Sequence, residues 1–362
     1  MPILVTRSSM PSFEEYCEEI RTLWDSRHLT NRGEKHVLFE NALLERTNGS
    51  AVSLFANGHL ALEAALSAFE FPAGSEVITT PFTFASTTHA IVRAGLVPVF
   101  CDVDPSDYTL DHTKIESLIT EKTVAVLPVH VYGNFCRTEE IERLAKKHSL
   151  RVIYDAAHAF GETKDGRDVA TFGDVTMFSF HATKVFQSVE GGALFTSDES
   201  LRASFETIKN FGLSAEDAVL CGTNAKMSEF HAAMGLLNLK HLDGEIARRA
   251  EVVNVYRTRL SDKEGIVLCK EQEGVKENFA YFPVRFTDQA RTREDVLSRL
   301  KENDIFARRY FYPLTCDFSC YRHLPQANVP VARAVAEEIL TLPLYADLSL
   351  ADAERICDII LS

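Results

Sequence analysis

A single lysine, Lys184, lies a few residues past an apolar run that predicts a strand over residues 175–180. Upstream, a second predicted strand over 152–154 leads into Asp155. A lysine amine can form a Schiff base with an aldehyde cofactor, and a carboxylate beside a pyridine nitrogen keeps that nitrogen protonated, so that the ring accepts electrons. One lysine and one aspartate, each at the end of a strand, are the pair that pyridoxal phosphate requires. The pattern predicts Lys184 and Asp155 as catalytic residues.

Both residues also have ordinary explanations, since a lysine after a strand is usually solvated and an aspartate at a strand end usually caps a turn. The catalytic interpretation of Lys184 and Asp155 is favoured because other parts of a phosphate-cofactor site occur in the same chain. Gly58 opens a predicted helix directly after a strand, where free backbone N–H groups favour a phosphate. Phe84 could stack on a cofactor ring or lie in the core, and Ser179 could bind the phosphate or cap a turn. The glycine pair at 191–192 could let the backbone approach a ligand closely.

The bulk composition is that of a soluble globular protein. The chain has 362 residues, with 46% hydrophobic and 25% charged residues, enough for one large or two moderate domains. A net charge of −14 argues against binding to nucleic acid or to an anionic membrane. The eight cysteines have no metal-ligand spacing, which favours reduced thiols and no metal site. Without a signal-peptide core or a long apolar run, we expect a cytoplasmic protein.

Short β-rich runs alternate with helical patterns between about residues 50 and 197, which predicts an α/β fold with a largely parallel sheet. The predicted strands cover 51–55, 76–79, 97–103, 124–130, 151–155 and 175–180, and the predicted helices cover 60–69, 86–94, 139–148 and 228–242. A charged helix from Glu245 then leads to a strand over 280–286 and a helix over 293–303. We therefore predict a large cofactor-binding domain over 1–244 and a smaller α+β domain over 245–362.

The chain resembles the DegT/DnrJ/EryC1/StrS sugar aminotransferases, which are fold-type I enzymes that use pyridoxal phosphate on nucleotide-linked keto-sugars. The resemblance spans roughly residues 10–320, and its motifs are long and in family order. They lie at 57–62, 76–84, 98–104, 128–133, 155–161, 179–192 and 224–229. The fold implied is a mostly parallel central sheet flanked by helices, with a smaller C-terminal domain.

The resemblance implies roles around the cofactor ring. Lys184 would carry the cofactor and shuttle a proton as a neutral amine, whose pKa a desolvated site would depress. Asp155 would pair with the ring nitrogen. His158, where many relatives have Gln, would lie near the ring's 3-hydroxyl, and Phe84 would stack on the ring.

The resemblance also implies the phosphate contacts. Ser179 and the backbone around Gly58 and His59 would bind the phosphate, and Asn224 would reach the phosphate of the neighbouring subunit. Asn224 therefore implies a homodimer with shared active sites. Family members often have Thr-Ser after the glycine, whereas this chain has His59-Leu60, so one hydroxyl contact is absent.

Substrate contacts are predicted at the N-terminal loop, near Lys184, and on a basic and aromatic stretch of the C-terminal part. That stretch could clamp a pyrophosphate or form a solvated turn. The candidates are Asn31, His181, Arg308, Arg309, Tyr310 and Tyr312. Many relatives have Asn-Tyr-Arg-Met at 224–227, where this chain has Ala225 and Lys226 in place of the aromatic and the arginine. Lysine and arginine are not equivalent at bidentate sites, so the cross-subunit substrate contact differs.

The likeness is greatest to members that aminate C4 of dTDP-4-keto-6-deoxy-D-glucose, with L-glutamate converted to 2-oxoglutarate and the pyridoxamine form carrying the amino group. Amination at C3 is the nearest alternative. A sugar dehydratase of this fold would have His in place of Lys184, and a non-catalytic sugar-binding or regulatory protein would not need the cofactor residues. No G-x-G-x-x-G follows a predicted strand, which disfavours a dinucleotide-binding enzyme.

Overall fold

The computed structural model describes residues 2–362, and its largest element is a seven-stranded sheet. The strands are β1 (Ile3–Leu4), β2 (Ala51–Phe55), β3 (Glu76–Thr79), β4 (Val97–Phe100), β5 (Thr123–Leu127), β6 (Arg151–Asp155), β7 (Thr163–Lys164), β8 (Arg167–Asp168), β9 (Val175–Ser179), β10 (Gly192–Thr196), β11 (Leu213–Ser214), β12 (Asp217–Ala218), β13 (Ile266–Leu268), β14 (Val275–Lys276), β15 (Phe282–Phe286), β16 (Ile305–Phe306) and β17 (Ile339–Leu342). The α-helices are α1 (Phe13–Ile20), α2 (Thr22–Ser26), α3 (Glu34–Thr47), α4 (Gly58–Ala68), α5 (Ala85–Arg93), α6 (His112–Ile115), α7 (Thr138–His148), α8 (Glu199–Lys209), α9 (Glu229–Leu260), α10 (Arg293–Glu302), α11 (Pro330–Glu338) and α12 (Leu350–Leu361).

The central sheet has the strand order β2–β10–β9–β6–β5–β3–β4. Strand β10 runs antiparallel to β2 and β9, and the other neighbours are parallel. The prediction of a mostly parallel sheet flanked by helices is confirmed. Strands β6 and β9 are adjacent and parallel, with Asp155 in register with Met177. Residues that follow these two strands therefore emerge at the same edge of the sheet, as the active-site prediction requires.

Most predicted elements are present, but some boundaries and elements differ. The strand predicted over 124–130 ends at Leu127, because Pro128 follows and has no N–H to donate to the sheet. The strand predicted over 97–103 ends at Phe100. Strand β10 and helices α1 to α3 had not been predicted from the sequence. Strand β10 begins at Gly192 and is buried along its whole length, so it lacks the alternating pattern that reveals a half-buried strand.

Helix α9 joins the part of the chain that carries the central sheet to the C-terminal part. It is a continuous 32-residue helix whose N-cap, Ser228, accepts a hydrogen bond from the backbone N–H of His231. Leu242 and Ile246 pack in the core that lines the central sheet, whereas Tyr256 and Leu260 pack in another core with β15 and β17. The predicted domain boundary at 244–245 falls inside this helix, and the division into two domains stays a prediction.

A three-stranded antiparallel sheet, β13–β15–β17, forms the centre of the C-terminal part. Helices α10 and α12 contact each other, and residues of both helices belong to the same core as β15 and β17. Among the helices of residues 2–362, none is both long and apolar enough to cross a lipid bilayer.

Candidate active site

The edge of the central sheet where β6 and β9 end opens into a cavity of about 640 Å³. Ten of the residues predicted from the sequence line this cavity: Gly58, His59, Phe84, Asp155, His158, Ser179, His181, Lys184, Arg308 and Tyr310. They come from distant parts of the chain, including the C-terminal loop. The structure therefore brings the predicted lysine, aspartate and phosphate-binding residues into one space.

Lys184 lies in the turn after β9, where its backbone N–H donates a 2.9 Å hydrogen bond to the carbonyl of His181. Its ammonium nitrogen lies 5.9 Å from the ring centroid of Tyr281. Desolvation lowers the pKa of Lys184 to about 8, although the negative charge of Asp155 opposes the shift. An amine with this pKa is partly neutral near neutral pH, so it can accept a proton as well as donate one.

Asp155 ends β6, and its side chain is only 4% exposed. Its Oδ2 accepts a 2.8 Å hydrogen bond from Oγ1 of Thr87, and its Oδ1 accepts one of 3.1 Å from the backbone N–H of Ala157. Burial raises the pKa of Asp155, whereas these hydrogen bonds and the charge of Lys184 lower it. Within residues 2–362 no basic side chain forms an ion pair with this carboxylate.

This buried carboxylate fits the group that the sequence predicts. A buried charge without an ion-pair partner is costly, and a protonated ring nitrogen in the adjoining cavity would supply the missing positive charge. Asp155 is therefore suited to hold a pyridinium nitrogen. Lys184, in the same cavity, is the amine that could bond covalently to an aldehyde.

His158 lies on the wall of the cavity with a defined tautomer. Its Nδ1 accepts a 3.0 Å hydrogen bond from the backbone N–H of Tyr132, so in the neutral ring the proton is on Nε2. Burial holds the pKa of His158 well below its usual value, with a smaller contribution from the charge of Lys184. His158 is therefore a neutral donor from Nε2, as a residue near a ring 3-hydroxyl would need to be.

Aromatic rings from the C-terminal part close one side of the cavity. The ring of Tyr281 lies 4.9 Å from that of His158, and Phe311 stacks on His158 at 6.0 Å. Tyr310, which was predicted to contact substrate, packs edge-on against Tyr281 at 6.0 Å. Tyr281 was not predicted, because nothing in its local sequence distinguishes it from a core aromatic. Phe311 lies within the predicted basic and aromatic stretch but was not among its candidate residues.

The predicted phosphate-binding end is built on the start of α4. The N-cap Asn57 accepts a 2.9 Å hydrogen bond from the backbone N–H of Leu60 through its Oδ1. The N–H groups of Gly58 and His59 lie in the first turn, where a helix offers no acceptor, and they are free for an anion. A Cβ at Gly58 would lie 2.9 Å from the Cβ of Ser179, so only glycine allows this close approach.

The glycine pair at 191–192 has a different function from the one predicted. A Cβ at Gly192 would lie 2.7 Å from the backbone of Asn57 and from the Cα of Gly58. The absence of a side chain therefore lets β10 pack against the turn that precedes α4, and not a ligand against the backbone. The prediction of direct ligand approach at Gly192 is corrected.

Phe84 is 60% exposed and lies on the wall of the cavity. The alternative that Phe84 is a core residue is therefore wrong, whereas its stacking on a cofactor ring stays a prediction. By contrast Phe82, two residues earlier, is fully buried against Tyr108, Tyr132 and Phe311.

Two residues predicted to bind substrate lie outside the cavity. Arg309 forms an ion pair with Glu294, and the ring of Tyr312 lies 4.8 Å from the guanidinium carbon of Arg293. The guanidinium of Arg309 and the ring of Tyr312 therefore contact α10 and not the cavity of their own chain, and the substrate-binding role of both residues stays a prediction. Arg308, in contrast, lines the cavity and donates a 2.9 Å hydrogen bond to the hydroxyl of Tyr310.

Asn31 and Asn224 are exposed, and neither lines the cavity of Lys184 in the same chain. Asn224 accepts a 2.9 Å hydrogen bond from Nζ of Lys226. Asn31 and Lys226 line a second cavity of about 480 Å³. Asn31 and Asn224 thus both lie near Lys226. The substrate contact of Asn31 and the action of Asn224 across subunits stay predictions.

Thr87, which holds Asp155, was also not predicted. It lies one turn into α5, three residues after Phe84, and its partner is on another element. Within the described residues, no group of three or more His, Cys, Asp or Glu side chains could hold a metal ion.

Comparison with known proteins adds the biochemical setting. The model of the DegT/DnrJ/EryC1/StrS aminotransferase family matches residues 12–361. A dTDP-4-amino-4,6-dideoxy-D-glucose transaminase from Shigella dysenteriae is 41% identical over 351 residues, which cover 96% of this chain and 95% of the relative.

Two solved structures are similar over almost the whole chain. DesI, solved in the presence of its TDP-sugar product, is 34% identical with a TM-score of 0.93, and the match covers 99% of this chain and 92% of DesI. DesV from S. venezuelae, solved in complex with a ketimine intermediate, is 27% identical with a TM-score of 0.87, and the match covers 98% of each chain.

Proposed function

The chain belongs to the DegT/DnrJ/EryC1/StrS aminotransferase family, and we propose that it transfers an amino group from L-glutamate to C4 of dTDP-4-keto-6-deoxy-D-glucose. The observation that carries the proposal is the placement of Lys184 and the buried, unpaired carboxylate of Asp155 in one cavity. The relative from Shigella dysenteriae and DesI support a dTDP-linked sugar as the acceptor.

Pyridoxal phosphate, when bound, supplies an aldehyde that exchanges with amines and a ring that accepts electrons. Lys184 accepts and returns a proton at Nζ, since desolvation keeps its pKa at about 8. The buried carboxylate of Asp155 would favour a protonated ring nitrogen. The Nδ1 of His158 accepts from the N–H of Tyr132, so the neutral ring can donate only from Nε2. The proposed acceptor of that hydrogen bond is the 3-hydroxyl oxygen of the cofactor ring.

The amino donor and the sugar need separate contacts in the cavity. Glutamate and the nucleotide diphosphate are both anionic, and Arg308 is the cavity-lining guanidinium that can bind an anion in a bidentate manner. Tyr281 and Phe311 exclude water from the side of the cavity that faces His158. We infer that Arg308 binds a carboxylate or phosphate oxygen, and that His181 and Tyr310 contact the sugar.

We also propose a homodimer in which Asn224 of each subunit reaches the phosphate in the partner's site. Asn224 is exposed and does not line the chain's own cavity, which supports this arrangement. In the same arrangement, Asn31 and Lys226 would extend the partner's substrate site.

The proposal is tested by incubating the holoenzyme with dTDP-4-keto-6-deoxy-D-glucose and glutamate, and by measuring 2-oxoglutarate and the NMR spectrum of the sugar product. We expect stoichiometric 2-oxoglutarate and an amino group at C4. The corresponding 3-keto-sugar is the competing substrate, and faster turnover of that sugar would assign the enzyme to C3 amination instead.

Lys184→Ala is the control for chemistry at this site. We expect turnover to fall by a factor of about 10² to 10⁴, the range for loss of a general acid–base residue, while the fold is retained. Full turnover by Lys184→Ala, or no 2-oxoglutarate from any nucleotide keto-sugar, would contradict the proposed function.

A further inference from the structure

Two buried side chains meet where strands β7 and β14 pair. Glu162 directly precedes β7, Asn278 lies two residues after β14, and each is 1% exposed. Oε1 of Glu162 accepts a 3.2 Å hydrogen bond from the backbone N–H of Asn278. The two residues therefore tie the segment that carries His158 to the segment that carries Tyr281.

The surroundings of Asn278 fix the orientation of its side-chain amide. Nδ2 donates hydrogen bonds of 2.8 and 3.0 Å to the carbonyls of His158 and Phe160. Carbonyls only accept, so the end of the amide that faces them must be the nitrogen. The other end, Oδ1, is buried and has no hydrogen-bond partner in the described part of the chain. A buried acceptor left in this way is costly unless a donor reaches it.

Oε2 of Glu162 is also buried and, among residues 2–362, has no hydrogen-bond partner and no ion pair. Burial holds the pKa of Glu162 well above its usual value. The hydrogen bond from Asn278 opposes this shift, and the negative charges of Glu277 and Asp168 add to it. Further ionisable side chains line the small cavity that borders this carboxyl group, namely Tyr132, Arg257, Cys269, Lys270 and Tyr281.

Gly133 brings this pair of residues close to the ring of His158. A Cβ at Gly133 would lie 2.5 Å from Oε1 of Glu162 and 3.4 Å from Oδ1 of Asn278. Gly133 also has a φ of +99°, so a side chain does not fit this turn. Its neighbour Tyr132 donates the backbone hydrogen bond that sets the tautomer of His158. The pair therefore supports His158 in two places, at the turn that holds its ring and at its own carbonyl.

We propose that Glu162 is a positioning residue for His158, and that it acts as a neutral carboxylic acid whose hydrogen is donated to Oδ1 of Asn278. One proton then satisfies both unpartnered oxygens, while Oε1 still accepts from the backbone of Asn278. Asn278 in turn holds the carbonyl of His158, so that the ring keeps one orientation on the cavity wall. This role rests on the proposed function, because it serves the hydrogen bond from His158 to the 3-hydroxyl oxygen of the cofactor ring.

The protonation of Glu162 is tested through the pH dependence of stability. A carboxyl group that is neutral in the native state and ionised in the unfolded state takes up a proton on folding, so stability is lost as the pH rises above about 4.3, the usual value for an unfolded chain. Relative to Glu162→Gln, the unfolding equilibrium constant of the wild type should rise about 10-fold per pH unit between about pH 5 and pH 7, as measured by denaturant unfolding. Glu139→Gln is the matched control, since it removes an exposed carboxylate of α7 and should follow the wild type.

Positioning is tested with ligands that have and lack the 3-hydroxyl group. The protein and its variants are titrated with pyridoxal phosphate and with its 3-deoxy analogue, and Kd is read from the absorption of the bound ligand. Glu162→Ala should bind pyridoxal phosphate about 10-fold more weakly, the effect of losing a hydrogen bond to a charged group, and should bind the analogue as the wild type does. Glu162→Gln keeps an acceptor and a donor in the same places, so it should bind both ligands like the wild type.

Each alternative result has a definite meaning. The same pH dependence in the wild type and in Glu162→Gln overturns the neutral acid. Equal affinity losses for both ligands in Glu162→Ala, or no loss for either, overturn the positioning role. Asn278→Ala removes the other member of the pair and should show the same selective loss, which decides the matter if Glu162→Ala does not fold. If the wild type binds neither ligand, the proposed function fails, whereas the pH test of Glu162 keeps its meaning.

Discussion

Thr87 and Asp155 are joined by a 2.8 Å hydrogen bond between buried side chains of α5 and β6. Oγ1 of Thr87 lies 2.9 Å from Oγ1 of Thr83, so a second hydroxyl supports the first. Burial raises the pKa of Asp155, and this hydrogen bond opposes the rise. Thr87 therefore helps to keep Asp155 ionised, which is the form that can hold a protonated ring nitrogen.

The isosteric variant Thr87→Val removes this hydrogen bond, and we expect kcat to fall about 10-fold, since a hydrogen bond to a charged group contributes roughly 1.5–3 kcal/mol. The carboxyl must be ionised to act, so a higher pKa moves the acidic limb of the kcat–pH profile to higher pH. KM for the sugar should change little. Thr87→Ser, which restores the hydroxyl, should recover most of the activity, and an unshifted acidic limb in Thr87→Val would contradict this role.

The pKa of Lys184 can be measured in the apoenzyme through its rate of reaction with an amine-directed reagent. Only the neutral amine reacts, so the rate rises with pH and should be half-maximal near pH 8, well below an ordinary lysine. Because the charge of Asp155 raises the pKa of Lys184, Asp155→Asn should move the midpoint to lower pH. A midpoint at the value of a solvated lysine would show that desolvation does not act on this amine. Lys184→Ala identifies the signal by removing it.

Phe84→Ala distinguishes a ligand contact from a core residue. Phe84 is 60% exposed, so we expect the thermal midpoint of the apoenzyme to stay the same. The affinity for pyridoxal phosphate should fall by roughly 2- to 10-fold, as expected for loss of aromatic stacking. The fully buried Phe82 is the contrast, because Phe82→Ala should cost about 3–5 kcal/mol of unfolding free energy. Destabilisation of the apoenzyme by Phe84→Ala would contradict the placement of Phe84 on the cavity wall.

Shared active sites can be tested by mixing inactive subunits. Lys184→Ala lacks the catalytic amine, and Asn224→Asp places a negative charge where the partner's phosphate would bind. After dissociation and reassociation of the two variants, a mixed dimer has one site with Lys184 from one subunit and Asn224 from the other. Random pairing should restore about a quarter of the wild-type activity, since half of the dimers would carry one native site. No recovery in a mixture shown to contain mixed dimers would argue against a site shared through Asn224.

Much of the site could be predicted from local sequence. The strand-then-turn pattern is encoded by neighbouring residues, so Asp155 and Lys184 could each be assigned to the end of a strand, and the order of the motifs indicated the family. That these two strands are adjacent was known only from the structure. The parallel sheet follows from the same alternation of strands and helices. These features depend on periodicity and turn residues over short stretches, which a single sequence contains in full.

Only the tertiary structure decided which distant side chains meet. Thr87 reaches Asp155, Tyr281 faces Lys184, and Tyr132 sets the tautomer of His158, and each pair comes from separate elements. Strand register and helix packing determine these contacts, and neither is encoded in the residues that take part. The same reason explains Gly192, whose role depends on the turn at Asn57 and Gly58 against which β10 packs. The sequence by itself determined the chemistry available to this protein, and the packing of its elements decided the partners and protonation states through which that chemistry acts.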